Sequence, residues 1–103
     1  MSVDTPPDET GAATTVTEQP GRFTIEVEGR TVGLADYHDR GRRRVFPHTE
    51  VAPEYQGRGL ATILVAEALR STHAAGLRIV PICSMVADYI DKHPEYADIT
   101  DPA

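Results

Sequence analysis

From Arg22 onward the chain alternates. Phe23, Ile25 and Val27 stand against Thr24, Glu26 and Glu28, a period of two that predicts a strand with one buried face. Glu28-Gly29-Arg30 reads as a turn. Val32, Leu34 and Asp36 then alternate with Gly33, Ala35 and Tyr37, a second strand and the hairpin partner of the first. After a turn at Asp39-Arg40-Gly41-Arg42, "RRVFPHTEV" is a third strand ending near Val51, and "APEY" is a short loop. There the period changes. Ala61, Leu64, Val65, Ala68 and Leu69 recur at helical spacing, which predicts a helix from about Gly59 to Ala75 with Gly76 as its stop. "LRIVPIC", Leu77 to Cys83, is a fourth strand. Met85 to about Lys92 is a second helix, closed because Pro94 biases His93 out of the helical region. The order β-β-β-α-β-α is an antiparallel meander followed by a β-α-β-α unit, whose crossover requires one parallel pair. The expected fold class is α/β.

Before Arg22 the pattern stops. Met1 to Pro20 is rich in Thr, Pro, Asp and Glu and has no aromatic residue. Such a segment cannot bury enough surface to offset the entropy of ordering. The expectation is a disordered acidic tail over 1–20 and one folded domain over 21–103. Charge sharpens this division. The 103-residue chain has a net charge of −6, and Asp4, Asp8, Glu9 and Glu18 put −4 of it into a tail without Lys or Arg. An acidic chain lacks the means to neutralise phosphates, so nucleic acid is not an expected partner. No apolar run approaches membrane-spanning length, and the first residues have neither the basic nor the apolar region of a secretory leader. Cys83 is the one cysteine, which leaves no intrachain disulfide. The expectation is a cytoplasmic protein with no membrane partner, present as a monomer or weak homodimer. One Cys and four scattered His make no metal-ligand spacing, so no metal is expected.

The chemistry begins with Gln56-Gly57-Arg58-Gly59 at the mouth of the best helix. A helix N-terminus offers N–H groups without intrahelical partners and the positive end of the macrodipole. Glycines let a ligand approach that backbone closely, and Arg58 adds a positive charge. The combination suits a phosphate or pyrophosphate. A Walker loop would need Lys-Ser/Thr where the chain has Leu60-Ala61. A dinucleotide fingerprint would need a third glycine and a later acid, where the chain has Thr62 and Arg78. Gln-x-x-Gly-x-Ala fits, at Gln56, Gly59 and Ala61.

"HTEVAPEYQGRGLA" resembles the acyl-CoA pyrophosphate motif of the GNAT superfamily of N-acetyltransferases. Phe23 to Tyr96 as a whole resembles a minimal, single-domain, Yjdj-type subfamily, marked here by "HTEV", "QGRGLA", "VPICS" and "YIDKHPEY". The resemblance implies a minimal GNAT-like fold, acetyl-CoA as co-substrate and an amine as acceptor. It implies that the backbone of His48 to Val51, with Thr49, Glu50 and Val51, bonds the pantetheine arm. It implies that Gln56, Gly57, Arg58, Gly59, Leu60 and Ala61 hold the pyrophosphate. It also implies a sheet that splays beyond this strand. Pro47 and Pro81 point the same way independently, since proline cannot donate to a ladder and two flanking strands each carry one. The alternative is that both prolines merely face away from any partner.

Acyl transfer from a thioester to an amine needs a base for the amine, a donor for the oxyanion and a proton for the leaving thiolate. Cys83 falls where the fourth strand meets the second helix, with Ser84 able to cap that helix. Its thiol is an acyl-accepting nucleophile, a general acid, or a small buried hydrophobe. Cys at this strand end is a mark of the subfamily. Tyr89, six residues on, matches a tyrosine that the superfamily uses to protonate the thiolate, at a different spacing; otherwise it is a core tyrosine with a wet hydroxyl. His48 and Glu50 share one face of the third strand and form a candidate base pair for the amine. "RGRRR", Arg40 to Arg44, reads as a solvated hairpin tip, with contact to an acidic substrate or a CoA phosphate as the alternative. Two classes of function remain: an acetyl-CoA-dependent N-acetyltransferase, and a non-catalytic acyl-CoA-binding sensor or interaction module.

Overall fold

A computed structural model describes residues 1–102. Six strands form one sheet in chain order: β1 (Ser2–Thr5), β2 (Thr14–Gln19), β3 (Arg22–Val27), β4 (Arg30–Arg40), β5 (Arg43–Val51) and β6 (Arg78–Val80). Neighbours are antiparallel except β5 and β6, which are parallel. The helices are α1 (Leu60–Ala74), which crosses over between β5 and β6, and α2 (Ser84–Lys92). One core joins them: Leu64, Val65 and Leu69 of α1, Val86 and Ile90 of α2, and Phe23, Ile25 and Phe46 of the sheet. Burying each such side chain contributes about 1.5–3 kcal/mol. The α/β meander and the parallel crossover are as the hydrophobic periods predict, and β3, β4, β5 and α1 start and stop within a residue or two of expectation.

The expected disordered tail is instead a hairpin. β2 pairs with β3 along its whole length, from Thr14↔Val27 to Gln19↔Arg22, and β1 pairs with β2. Threonine is β-branched and suits a half-buried strand, so a Thr-rich segment needs few apolar residues to pair. Val16 supplies the deep apolar anchor, 2% exposed. Polar side chains do the rest: Ser2 Oγ meets Thr17 Oγ1 at 2.8 Å, and Ser71 Oγ on α1 donates to Glu18 at 2.6 Å.

Three further expectations are corrected. The basic cluster is not uniformly solvated. Arg44 is buried, gives Asp39 two hydrogen bonds of 2.8 and 3.0 Å, and lies 4.1 Å from the centroid of the Tyr37 ring. The fourth strand stops at Val80, because Pro81 has no N–H to extend the ladder. Ser84 is the first helical residue of α2, and Cys83 occupies the cap position without a side-chain cap bond.

The sheet opens where β5 passes Val45. Its parallel ladder with β6 covers Arg43 to Val45 against Arg78 to Val80 and ends there. The last link is the Cys83 N–H, which donates to the Phe46 carbonyl at 2.8 Å. On the other side β5 stays paired with β4 to Val51. That ladder has a bulge in which Phe46 and Pro47 together oppose Tyr37. Proline at a bulge loses no ladder bond. The bulge also changes which backbone groups point outward. The Ala52 N–H turns toward β4, where it meets the Val32 carbonyl at 2.7 Å. By strand alternation Thr49 and Val51 direct theirs away from β4, into the opening.

Candidate active site

Three elements meet around that opening: the free half of β5, the bend that leads into α1, and the start of α2. The bend is built on two left-handed residues, Gly57 at φ 81° and Gly59 at φ 78°. Side chains with a Cβ adopt this region at a cost, so the glycines are what allow α1 to begin so abruptly. Gly59 is the helix cap and brings no side-chain acceptor. The first-turn N–H groups therefore have no intrahelical partner and no cap. Gln56 ties the bend back to the strand, its Nε2 donating to the Val51 carbonyl at 3.2 Å. Leu60 is buried in the core, so the first helical residue is anchored.

β5 presents the remaining strand residues on two faces. Thr49 and Val51 are buried on the helix side. His48 and Glu50 are exposed on the other side, with His48 Nε2 and Glu50 Oε1 2.9 Å apart. The structure thus joins these two as a pair, at the strand edge that borders the gap.

Cys83 stands at the point where β5 and β6 part, half-buried against the core. Tyr89 lies elsewhere. Six residues at 3.6 per turn set it about 240° around α2 from Cys83, so the two do not share a face. Tyr89 instead lines a groove of about 210 Å³ between α1 and α2, with Ala61, Val65, Met85, Asp88 and Lys92. It stacks on His93 at 3.8 Å between ring centroids. Burial, followed by the neighbouring Tyr96 and Glu95, pushes its phenol above the ordinary value, so it keeps its proton at neutral pH.

Arg58 is committed. Its guanidinium contacts Asp8 Oδ2 at 2.7 and 2.8 Å and donates to Thr10 Oγ1 at 3.2 Å. Asp8 is buried in the loop between β1 and β2. Hydrogen bonds from the Thr10 hydroxyl first, then from the Ala12 N–H, Arg58 and the Thr10 N–H, hold its carboxyl at about 2 against the opposing effect of burial. Sequence reasoning missed Asp8, Glu9 and Thr10 because their partners lie some fifty residues away. The signal available was local: Asp-x-Thr with a glycine following is a side-chain-to-backbone turn, which a disordered tail does not require. The groove residues Met85, Asp88 and Lys92 were missed too, although their spacing of three and four places them on one face of α2.

Comparison with known proteins bears on the family and the fold. Residues 22–99 match the family described as GCN5-related N-acetyl-transferase. The chain belongs to that family. A solved relative in fold is a GCN5-like protein from Staphylococcus aureus, determined in solution by NMR. It superposes with a TM-score of 0.65 at 20% identity, over 85% of this chain and 88% of that one. A search of curated proteins finds no match. Among the described residues, no helix is long and apolar enough to cross a membrane.

Proposed function

We propose that the protein is an acetyl-CoA-dependent N-acetyltransferase of the minimal, single-domain Yjdj type, acting in the cytoplasm on an exposed amine of a small molecule or a protein. One observation carries this reading: β5 and β6 part beside an uncapped, glycine-lined helix N-terminus. The backbone edge of Thr49 and Val51 has no strand partner beyond β4, and only the Val51 carbonyl is taken, by Gln56; it is suited to the amides of a pantetheine arm. The first-turn N–H groups of α1 and the bend from Gln56 to Ala61 are suited to a pyrophosphate. The family match supports acetyl transfer as the chemistry.

In the reaction the amine nitrogen bonds to the thioester carbonyl carbon, the C–S bond breaks, and the CoA sulfur leaves with a proton. On this reading the His48–Glu50 pair, joined at 2.9 Å, accepts the proton that the amine loses. Cys83, at the throat of the opening, takes one of two roles. As an acid it protonates the departing sulfur. As a nucleophile its Sγ displaces CoA, passing its proton to the leaving sulfur, and the amine then displaces Sγ from the acetyl group. Tyr89 keeps its proton and is the second candidate donor, reached from the groove rather than from the throat.

The test is turnover. Acetyl-CoA is incubated with a panel of small amines and lysine-containing peptides, and released CoA thiol is followed. Amine-dependent thiol release supports the transferase. Tight binding of acetyl-CoA without release by any amine assigns the protein to the non-catalytic binding modules instead.

A further inference from the structure

The loop joining β1 to β2 lies across the helix N-terminus that the proposed function assigns to pyrophosphate. Three contacts hold it there. The Glu9 N–H donates to the Arg58 carbonyl at 2.9 Å. Asp8 takes the Arg58 guanidinium from inside, with its side chain fully buried. Glu9 sits so close to the bend that a Cβ on Gly59 would lie 2.7 Å from its Oε2. The loop itself is compact, because Asp8 Oδ1 accepts from the Thr10 hydroxyl and N–H and from the Ala12 N–H at 2.6 to 3.1 Å. Two carboxylates therefore stand at an N-terminal anion site, and the site's own arginine is neutralised. This loop lies outside residues 22–99, the part of the chain that matches the family.

We propose that the Asp8–Glu9 loop is an autoinhibitory plug, which occupies the pyrophosphate cradle and must be displaced for CoA to bind. Carboxylates are single negative charges with the hydrogen-bonding habits of phosphate oxygens, so Asp8 satisfies Arg58 while Glu9 sets its charge beside Gly59 when no ligand is present. A diphosphate offers more charge and more acceptors to the same groups, and its arrival releases the loop. CoA affinity is then reduced by the fraction of molecules whose loop is open. The inference rests on the pyrophosphate reading of the bend.

The test compares three proteins by calorimetry with acetyl-CoA at constant ionic strength. They are the native chain, the double variant Asp8→Asn with Glu9→Gln, and a variant in which residues 6–13 give way to a two-residue turn. Thr5 and Thr14 are directly paired, so that turn preserves the register of β1 and β2. The amide variant keeps the length of the loop and serves if the shortened one fails to fold. Both variants are expected to bind acetyl-CoA about tenfold more tightly than the native chain, the effect of freeing a loop closed about nine times in ten. In the native chain, acetyl-CoA is expected to speed amide exchange at Glu9 and Ala12. Equal or weaker binding by the variants, while the native chain binds, overturns the plug and makes the loop part of the site. Absence of binding by all three overturns the pyrophosphate reading itself, and the plug with it.

Discussion

The two halves of β5 have opposite fates. Arg43 to Val45 is paired on both edges, with β4 and with β6, and Arg44 is sealed beneath Tyr37 and against Asp39. Phe46 to Val51 is paired with β4 and, past the single bond from Cys83 to Phe46, leaves its other edge open. One strand of nine residues is thus a structural wall and then, in the proposed function, a binding edge. The switch is local. Pro81 cannot continue the β6 ladder, and the bulge at Pro47 turns the polar groups of Thr49 and Val51 outward. An unpaired edge is ordinarily a hazard for aggregation, and its persistence beside a glycine bend is what the proposed acetyl-CoA site accounts for.

Substitutions should separate the halves. The largest effect is expected in the open half. Cys83→Ala should lower turnover by about a hundredfold or more, the usual scale for losing a nucleophile or proton donor. Intact mass spectrometry then assigns its role: an acetyl adduct that vanishes in the variant marks an acyl-enzyme, and slowed turnover without an adduct marks acid catalysis. Normal turnover in Cys83→Ala would return the residue to the core and make Tyr89 the donor to test.

The closed half should respond in stability and not in binding. Arg44→Leu removes both hydrogen bonds to Asp39 and the cation over Tyr37. Asp39 is partly exposed and can rehydrate, so the expected loss is about 2 kcal/mol, below that of a fully buried pair. Urea unfolding should report that loss while calorimetry finds acetyl-CoA affinity within about twofold of native. A large loss of affinity would erase the distinction between the halves.

Gly59→Asp tests the bend. It places an L side chain at positive φ and a carboxylate where the phosphates should sit, next to Glu9. Acetyl-CoA affinity should fall about tenfold or more in a protein that remains folded by circular dichroism. Unchanged affinity would move the pyrophosphate elsewhere.

The smallest effect is in acid. Asp8, Asp39 and Asp101 all have carboxyls held below the ordinary 3.8, by Thr10, Arg44 and Arg78 respectively. A depressed folded value means a stabilising contribution that is complete above the unfolded value and disappears as pH falls through the folded one. Stability should therefore be flat with respect to these groups above about pH 4 and decline between there and about 2. Asp8→Asn should flatten that decline. An unchanged acid profile in Asp8→Asn would show that the loop contact makes no contribution to the fold.

Much of this was legible in the sequence, and the misses share a cause. β3, β4, β5 and α1 carry their partners in their own periodicity: Phe23, Ile25 and Val27 face one way, and Leu64, Ala68 and Leu69 line one helix face. The bend at Gly57 and Gly59 is read directly, because glycines beside a helix start have few other uses. β1 and β2 are different. Their pairing rests on threonines and one deep valine, and their anchors, Arg58 for Asp8 and Ser71 and Arg44 for Glu18, lie far along the chain. Periodicity cannot register such contacts. The spacing of Met85, Asp88 and Lys92 gives the groove its α2 face, but that this face and Tyr89 meet α1 depends on how the helices pack, which no local pattern encodes.

The central claim is that the open half of β5 and the bend before α1 form the acetyl-CoA site. Backbone amide NMR of the native chain, titrated with acetyl-CoA, tests it most directly. The account predicts large, saturable shifts at Thr49, Val51, Gln56 to Ala61 and Cys83, with Arg43 to Val45 unmoved. Saturable shifts centred on other residues, or equal shifts along both halves of β5, would contradict it.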